Sequence, residues 1–354
     1  MSSLAEPLTF KVPASFRGKV NAPDNLYATL LWNGLAADTR RRYQSPIKSY
    51  EYFCTINKIR PWPASEESLG RWISTRASGS DSLFLRQAKP DTIQGYLSAL
   101  RSYHVDLRLD TDVFDSEHLK RLLKGAKRLF NRPSDSERRP ITKEILMQIT
   151  SQLLPSPITE VSKTNMLNFD TAFKVAFAGF FRLGEIVYAA AETRNATVFQ
   201  ATRLTRQDVR FFDKGQYATI HLKRSKSDHD HRGVTVVVTA SHDSTCPVAA
   251  LQSLMERDPQ PESAPLFRLS SGAFTRDTVL RELETRLRRA GIPSDGYRGH
   301  SFRKGAAQEA HNNGLTQEEI QTLGRWSSDA VQRYFKTNRR RVIQLHKQFQ
   351  TGLA

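Results

Sequence analysis

The chain is expected to be mainly α with a small β-sheet, an α+β protein in two domains. Three observations point there. Its 354 residues exceed what one core of ordinary size holds. Apolar residues recur at three- and four-residue intervals over most of the length, which is the helical period. Two β-branched runs, Tyr217–Leu222 and 233–239, stand in the second half and are joined by ten polar residues.

In order along the chain, residues 1–24 mix Pro7, Pro13, Gly18 and scattered charge, and are expected to form a flexible arm. A helical domain follows over 25–130. Asp38 and Thr39 start a helix carrying Tyr43, Ile47, Tyr50 and Phe53 on one face. Ser65 opens a shorter one with Leu69, Trp72 and Ile73. Asp91, after Pro90, caps a third with Ile93, Leu97 and Leu100. Ser116 caps a fourth with Leu119, Leu122, Leu123, Ala126 and Phe130. Residues 131–141 (NRPSDSERRPI) are polar and aperiodic with two prolines, and read as a linker. The second domain, 142–354, opens with a helix capped by Thr142 and running through Leu154. An apolar helical stretch over 169–186 leads to the two strands. A Pro-rich patch at 258–265 then precedes helices over 275–290, 301–312, 316–324 and 329–336, with a last one from about 338.

The formal charge is +17 and the pI is near 10. Both halves share the excess, with 21 Lys and Arg against 15 Asp and Glu over 1–137, and 32 against 21 over 138–354. Cations spread in this way favour a polyanion, because each one set against a phosphate releases condensed counterion. A soluble basic protein without such a partner is the alternative. Only Cys54 and Cys246 are present, without a C-x-x-C, so neither a disulfide framework nor a zinc ribbon is expected. No apolar run approaches the roughly 18 residues of a membrane span. The first 20 residues lack a signal core and a transit pattern, so a soluble, reducing compartment is expected and no membrane partner.

Several residues are not needed by a packed core. On the fourth helix Lys120, Arg121, Lys124, Lys127 and Arg128 line one side, with only Glu117 to balance them. They suit a phosphate backbone, or else form a solvated face. His300 and Arg303 lie one turn apart at an expected helix start, where unpaired N–H groups and a guanidinium can clamp a phosphate. Alternatively His300 caps the helix and Arg303 pairs with Glu309. Arg182 interrupts an apolar stretch, and a charge there is paired, as by Glu185, or functional. The strand-joining loop carries Lys223 and Lys226, either able to protonate a leaving oxygen. Asp228-His229-Asp230-His231 lacks further ligands at metal spacing. Trp326 follows Gly324-Arg325 and is either a core aromatic or an N–H donor. Tyr334, the one tyrosine after Tyr297, is either packing or a nucleophile. As a set, two arginines, a histidine, an indole and a phenol can bind a phosphodiester and attack it.

Arg182-x-x-Glu185, the loop lysine, His300-x-x-Arg303, Gly-Arg-Trp326 and Tyr334, in that order, resemble the tyrosine recombinase (phage integrase) family. The stretches GHSFRKGAAQ and LGRWSSDAVQRYF are most similar to recombinases of eukaryotic mobile elements, the Crypton and DIRS-like groups. NGLAADTRRRYQSPIKSYEYFC resembles the start of a Crypton-type DNA-binding domain. The resemblance covers about residues 25–350. It implies a core-binding domain over 25–130 and a catalytic domain over 142–354 acting on double-stranded DNA. Arg182 and Arg303 would bind the scissile phosphate and His300 would help take the phenol proton. Trp326 would stabilise the transition state, Lys226 would protonate the 5′ leaving oxygen, and Tyr334 would form a 3′-phosphotyrosine. Glu185 would support the site, while Arg40, Arg41, Arg42 and the five helix cations would contact DNA. No metal, cofactor or ATP is implied, since the covalent bond conserves the phosphodiester energy. Assembly as a tetramer on two duplexes, through a C-terminal helix exchanged between subunits, and a nuclear location are likewise implied. Two features depart from the commoner pattern: Trp326 and Tyr334 are eight residues apart rather than nine, and Lys226 sits in KSD rather than KTD, with Lys223 nearby. Residues 195–202 resemble an insertion without a chemical role. A type IB topoisomerase and a non-enzymatic DNA-binding protein derived from a mobile element are the rival readings.

Overall fold

The computed structural model describes residues 12–20, 24–130, 138–152, 159–224 and 233–326. Lys226, the 228–231 cluster, Tyr334 and the helices expected beyond residue 326 lie outside them. The chain divides into two compact units, Met1–Ser134 and Asp135–Ala354. No helix among the described residues is long and apolar enough to cross a membrane.

The first unit is helical: α1 (Ala14–Arg17), α2 (Asn25–Asn33), α3 (Ala37–Ile56), α4 (Glu66–Ser78), α5 (Pro90–Asp106) and α6 (Glu117–Phe130). The expected arm is corrected over 12–20. Val12, Phe16 and Val20, four residues apart, are buried against Leu31 and Trp32, a pattern too short to register as a periodic helix. Asp24 caps α2 by accepting the Tyr27 N–H at 2.7 Å. In α4 a capping box joins Ser65 and Ser68. Asp91 lies within the first turn of α5 rather than at its cap. Pro90 fills the first helical position, where its missing N–H has no intrahelical partner to lose. Tyr50, Trp72, Ile73, Ile93, Leu100 and Leu119 form the core, with the Tyr50 hydroxyl 2.7 Å from Ser68 Oγ.

In the second unit α7 (Lys143–Thr150) is capped by Thr142, and α8 (Glu160–Ala178) runs through the core, packed on α11 (Pro247–Arg257) and α13 (Ser301–Asn312). The apolar stretch expected as one helix over 169–186 is broken. It stops at Gly179, passes through left-handed Phe180 (φ 51°), and resumes as α9 (Leu183–Ile186). A side chain at 179 would overlap the Phe181 ring, so glycine is required. Because both sides of the break are apolar, hydropathy does not show it.

Residues 196–202 of the insertion form α10 (Ala196–Thr202), whose Phe199 packs edge-on against Tyr188 at 5.0 Å. Among the described residues the sheet has three antiparallel strands in chain order: β1 (Val209–Phe212), β2 (Tyr217–Leu222) and β3 (Val234–Thr239). Ile220 pairs with Val209 on one side and Val236 on the other, and all three are buried. β1, only four residues long, was not expected. α12 (Arg276–Arg289), α13 and α14 (Gln317–Gly324) complete the described residues and match the expected helices closely. Gly305 lets α13 lie directly on the backbone of Ile141, whose carbonyl oxygen a Cβ would overlap.

Candidate active site

The break after α8 delivers Arg182. It occupies the cap position of α9, and Glu185 folds back onto it. One carboxylate oxygen accepts the Arg182 backbone N–H at 2.9 Å, and the other accepts Nη1 at 2.8 Å. The ion pair expected of a charge in an apolar stretch is therefore formed. Glu185 has a second cation as well, since Arg325 Nη2 donates to its Oε2 at 3.2 Å. Two guanidinium groups on one carboxylate leave a net positive charge, and Arg182 is the more exposed of the two cations.

The Leu183 N–H donates to the Gly299 carbonyl at 3.3 Å, which ties this break to the turn before α13. His300 is the cap residue of α13, yet its side chain makes no capping hydrogen bond. Arg303 is fully buried. Its Nη1 donates to the Phe180 carbonyl at 2.5 Å and its Nη2 to the Gly324 carbonyl, rather than to Glu309. Arg182 and Arg303 thus meet around one turn, although 121 positions separate them in sequence.

Burial first, and then the charges of Arg138, Arg182, Arg303 and Arg276, push the His300 imidazole below the ordinary histidine pKa. Its Nδ1 is buried with no hydrogen-bond partner among the described residues. At neutral pH the ring is accordingly neutral and able to accept a proton. The sign follows for activity: protonation removes the base, and the depressed pKa moves that loss to lower pH. The acid limb of a kcat/KM profile, which reports the free enzyme, is expected below pH 6.5. A limb at or above that value would contradict the assignment.

Trp326 follows Arg325, which adopts the left-handed conformation (φ 57°) that ends α14. Its ring lies 4.0 Å from the Arg303 guanidinium and edge-on to Phe180 at 6.2 Å. It is both a packed aromatic, against a small cluster containing Ala306 and Ile320, and a wall of the arginine site. A Cβ at Gly324 would overlap this ring. Gly324→Ala is expected to displace Trp326 and lower the rate of any chemistry at Arg303 by at least about tenfold, with smaller effect on DNA binding. Single-turnover kinetics beside a binding isotherm would separate the two.

Lys223, the rival to Lys226, is held at the base of the β2–β3 connection. Its Nζ lies 2.6 Å from Asp208 and donates to Thr205 Oγ1 at 3.1 Å. Its ammonium is thus already held by protein groups, the Arg203 carbonyl among them.

In the first unit Arg40 is corrected. It is buried between the rings of Phe16 and Trp32, pairs with Asp106 at 2.9 Å and donates to the carbonyls of Leu31 and Trp32. It staples α3 to α5 and cannot present its guanidinium to DNA. Arg41 and Arg42 are exposed beside Asp38. On α6, Lys120 pairs with Glu117 at 2.7 Å, and Lys127 pairs with Asp91 of α5 at 2.8 Å, a partner that sequence spacing could not reveal. Arg121, Lys124 and Arg128 are exposed and make no ion pair among the described residues.

Three cations of the site were missed as individuals. Arg325 stood inside the Gly-Arg-Trp motif without a direction. Arg138 lay in the linker. Arg276 opens α12, and its guanidinium sits 2.9 Å from where a Gly299 Cβ would be. Arg276→Gln is expected to lower the slope of log K against log salt by roughly 0.9, the share of one phosphate contact. An unchanged slope would remove it from the interface.

No family model matches the chain, and no curated protein matches it. Solved structures do. A lambda integrase (residues 75–356) dimer bound to a COC′ core site is 14% identical, with a TM-score of 0.51 over 88% of this chain and 93% of that one. The XerH site-specific recombinase bound to palindromic difH substrate, a post-cleavage complex, is 12% identical with a TM-score of 0.51, over 86% and 76%. The chain therefore has the fold of these recombinases, mainly helical with a small antiparallel sheet among the described residues.

Proposed function

We propose that this protein cuts and rejoins duplex DNA through a covalent phosphotyrosine intermediate. The observation that carries the reading is that Arg182 and Arg303, far apart in sequence, are both held by the segment 180–185 and both lie near enough to His300 to lower its pKa. The fold adds support, because the lambda integrase and XerH structures that share it are complexes with DNA sites.

In this reading both guanidinium groups serve the scissile phosphate, Arg182 from its more exposed position and Arg303 after leaving the Phe180 and Gly324 carbonyls that hold it buried beneath Trp326 in this structure. The two groups offset the charge that builds on the phosphate's non-bridging oxygens, the largest catalytic contribution in reactions of this type. His300 accepts the phenol proton of Tyr334 as the oxygen attacks phosphorus, and a 3′-phosphotyrosine forms. Lys226 gives its proton to the departing 5′ oxygen, and reversal of the step rejoins the strand. Trp326 holds the Arg303 side of the site. Positive charge comes from arginine and the phosphotyrosine bond conserves the phosphodiester energy, so the reading calls for neither metal nor ATP. Arg121, Lys124 and Arg128 would bind the backbone of the same duplex. A eukaryotic mobile-element origin, a nuclear location and a tetramer on two duplexes are further parts of the proposal, and they rest on the sequence resemblance.

The test uses nicked duplexes, in which a departing fragment diffuses away and blocks rejoining. Incubated in EDTA, the protein should yield a covalent complex that survives a denaturing gel, and sequencing its DNA would locate the cut. Tight, salt-sensitive binding without any adduct on a library of flanking sequences would replace this reading with that of a DNA-binding protein alone.

A further inference from the structure

Resting on that reading, we infer that Arg325 is a positioning residue of the phosphate site, acting through Glu185 to keep the charge of Arg182 available to the substrate. Arg325 is nearly buried, and both ends of its guanidinium are held. Nη1 donates to the Gly179 carbonyl at 2.9 Å, and Nη2 lies 3.4 Å from the Phe180 carbonyl and 3.2 Å from Glu185 Oε2. The face of the group lies over the Phe181 ring at 5.1 Å. Gly179, Phe180 and Phe181 belong to the break between α8 and α9 that presents Arg182, and Glu185 lies in α9 directly after it. The left-handed backbone at Arg325 turns the side chain back toward that break, while the next residue, Trp326, covers Arg303.

The electrostatic consequence follows from charge counting in a largely buried site. Glu185 alone would neutralise Arg182, and a neutral pair attracts a phosphate weakly. With Arg325 on the same carboxylate, the three groups carry a net charge of +1. Arg182, the outermost member at 20% side-chain exposure against 11% for Arg325, presents that charge. Coulomb interactions of this kind are several times stronger beneath a protein surface than in water. Arg325 never needs to touch the substrate for this effect.

A merely structural arginine would be replaced without regard to charge on the substrate, so the test varies that charge. Single-turnover cleavage is measured for wild type, Arg325→Lys, Arg325→Gln and Arg325→Met, on a normal scissile phosphate and on a neutral methylphosphonate at the same position. Circular dichroism and thermal melts show which variants fold. We expect Arg325→Gln and Arg325→Met to slow cleavage of the phosphate by 30-fold or more, with DNA affinity changed less than threefold. On the methylphosphonate the loss should shrink to less than threefold, and Arg325→Lys should recover most of the rate on the phosphate. Equal losses on both substrates in a folded variant would overturn the inference, as would wild-type rates in Arg325→Gln. Failure of the wild type to form any adduct would instead refute the proposed function itself.

Discussion

Arg303→Met is expected to reduce the rate of strand cleavage by at least 10²- to 10³-fold, the usual cost of losing one preorganised donor to a developing anion. Arg303 is fully buried, donates to the Phe180 and Gly324 carbonyls and carries Trp326 on its face, so the variant also loses structure. A buried carbonyl left without its donor costs about 1–3 kcal/mol. The kinetic loss should exceed anything this destabilisation explains. Arg303→Lys separates the effects: it keeps the charge but loses the fork, and should remain well over tenfold impaired. Single-turnover rates at a temperature well below each variant's melting point make the comparison. Near-wild-type cleavage by a folded Arg303→Met protein would exclude this residue from the phosphate site.

Gly305→Ala should be the most disruptive change for stability. A Cβ at 305 would overlap the Ile141 carbonyl oxygen and crowd the adjoining backbone, and no flexible side chain is available to move aside. Overpacking costs typically 1–3 kcal/mol, and a clash with backbone belongs at or above about 3 kcal/mol. The damage would not stay local. The Ile141 N–H donates to the Ser301 carbonyl at 3.0 Å and Lys304 donates to the Arg138 carbonyl at 2.5 Å, so a shifted α13 carries His300 and Arg303 with it. A thermal melt within a few degrees of wild type would show that α13 can slide without cost.

The difference between what the sequence reveals and what it hides is clear in this site. Capping residues at Ser65, Thr142, Thr275 and Thr316 mark helix starts because their side chains accept nearby backbone N–H groups, an interaction local in sequence. The two long strands stand out by β-branching. The catalytic candidates are legible as a set, since their chemistry and order have meaning before any fold is known. Arg40, by contrast, reads like its neighbours Arg41 and Arg42, yet Asp106 and two aromatic rings take it into the interior. Its partners lie up to 66 positions away, beyond any local pattern. Lys127 finds Asp91 in the same way. The break at Gly179 and Phe180 depends on the Phe181 ring lying where a Cβ would point, and no hydropathy profile contains that fact. Arg325 was hidden for a related reason: a side chain's direction depends on the left-handed turn beneath it.

Two arginines and a histidine of lowered pKa are proposed to serve one phosphate during attack by one particular phenol. The most direct measurement is the identity of the bond. Wild-type protein trapped on a nicked duplex would be digested with protease and nuclease, and the surviving nucleotide-bearing peptide sequenced by mass spectrometry. The account predicts a single nucleotide joined through its 3′ phosphate to Tyr334, and no such peptide from Tyr334→Phe. A nucleotide on any other residue, or joined through a 5′ phosphate, would contradict it.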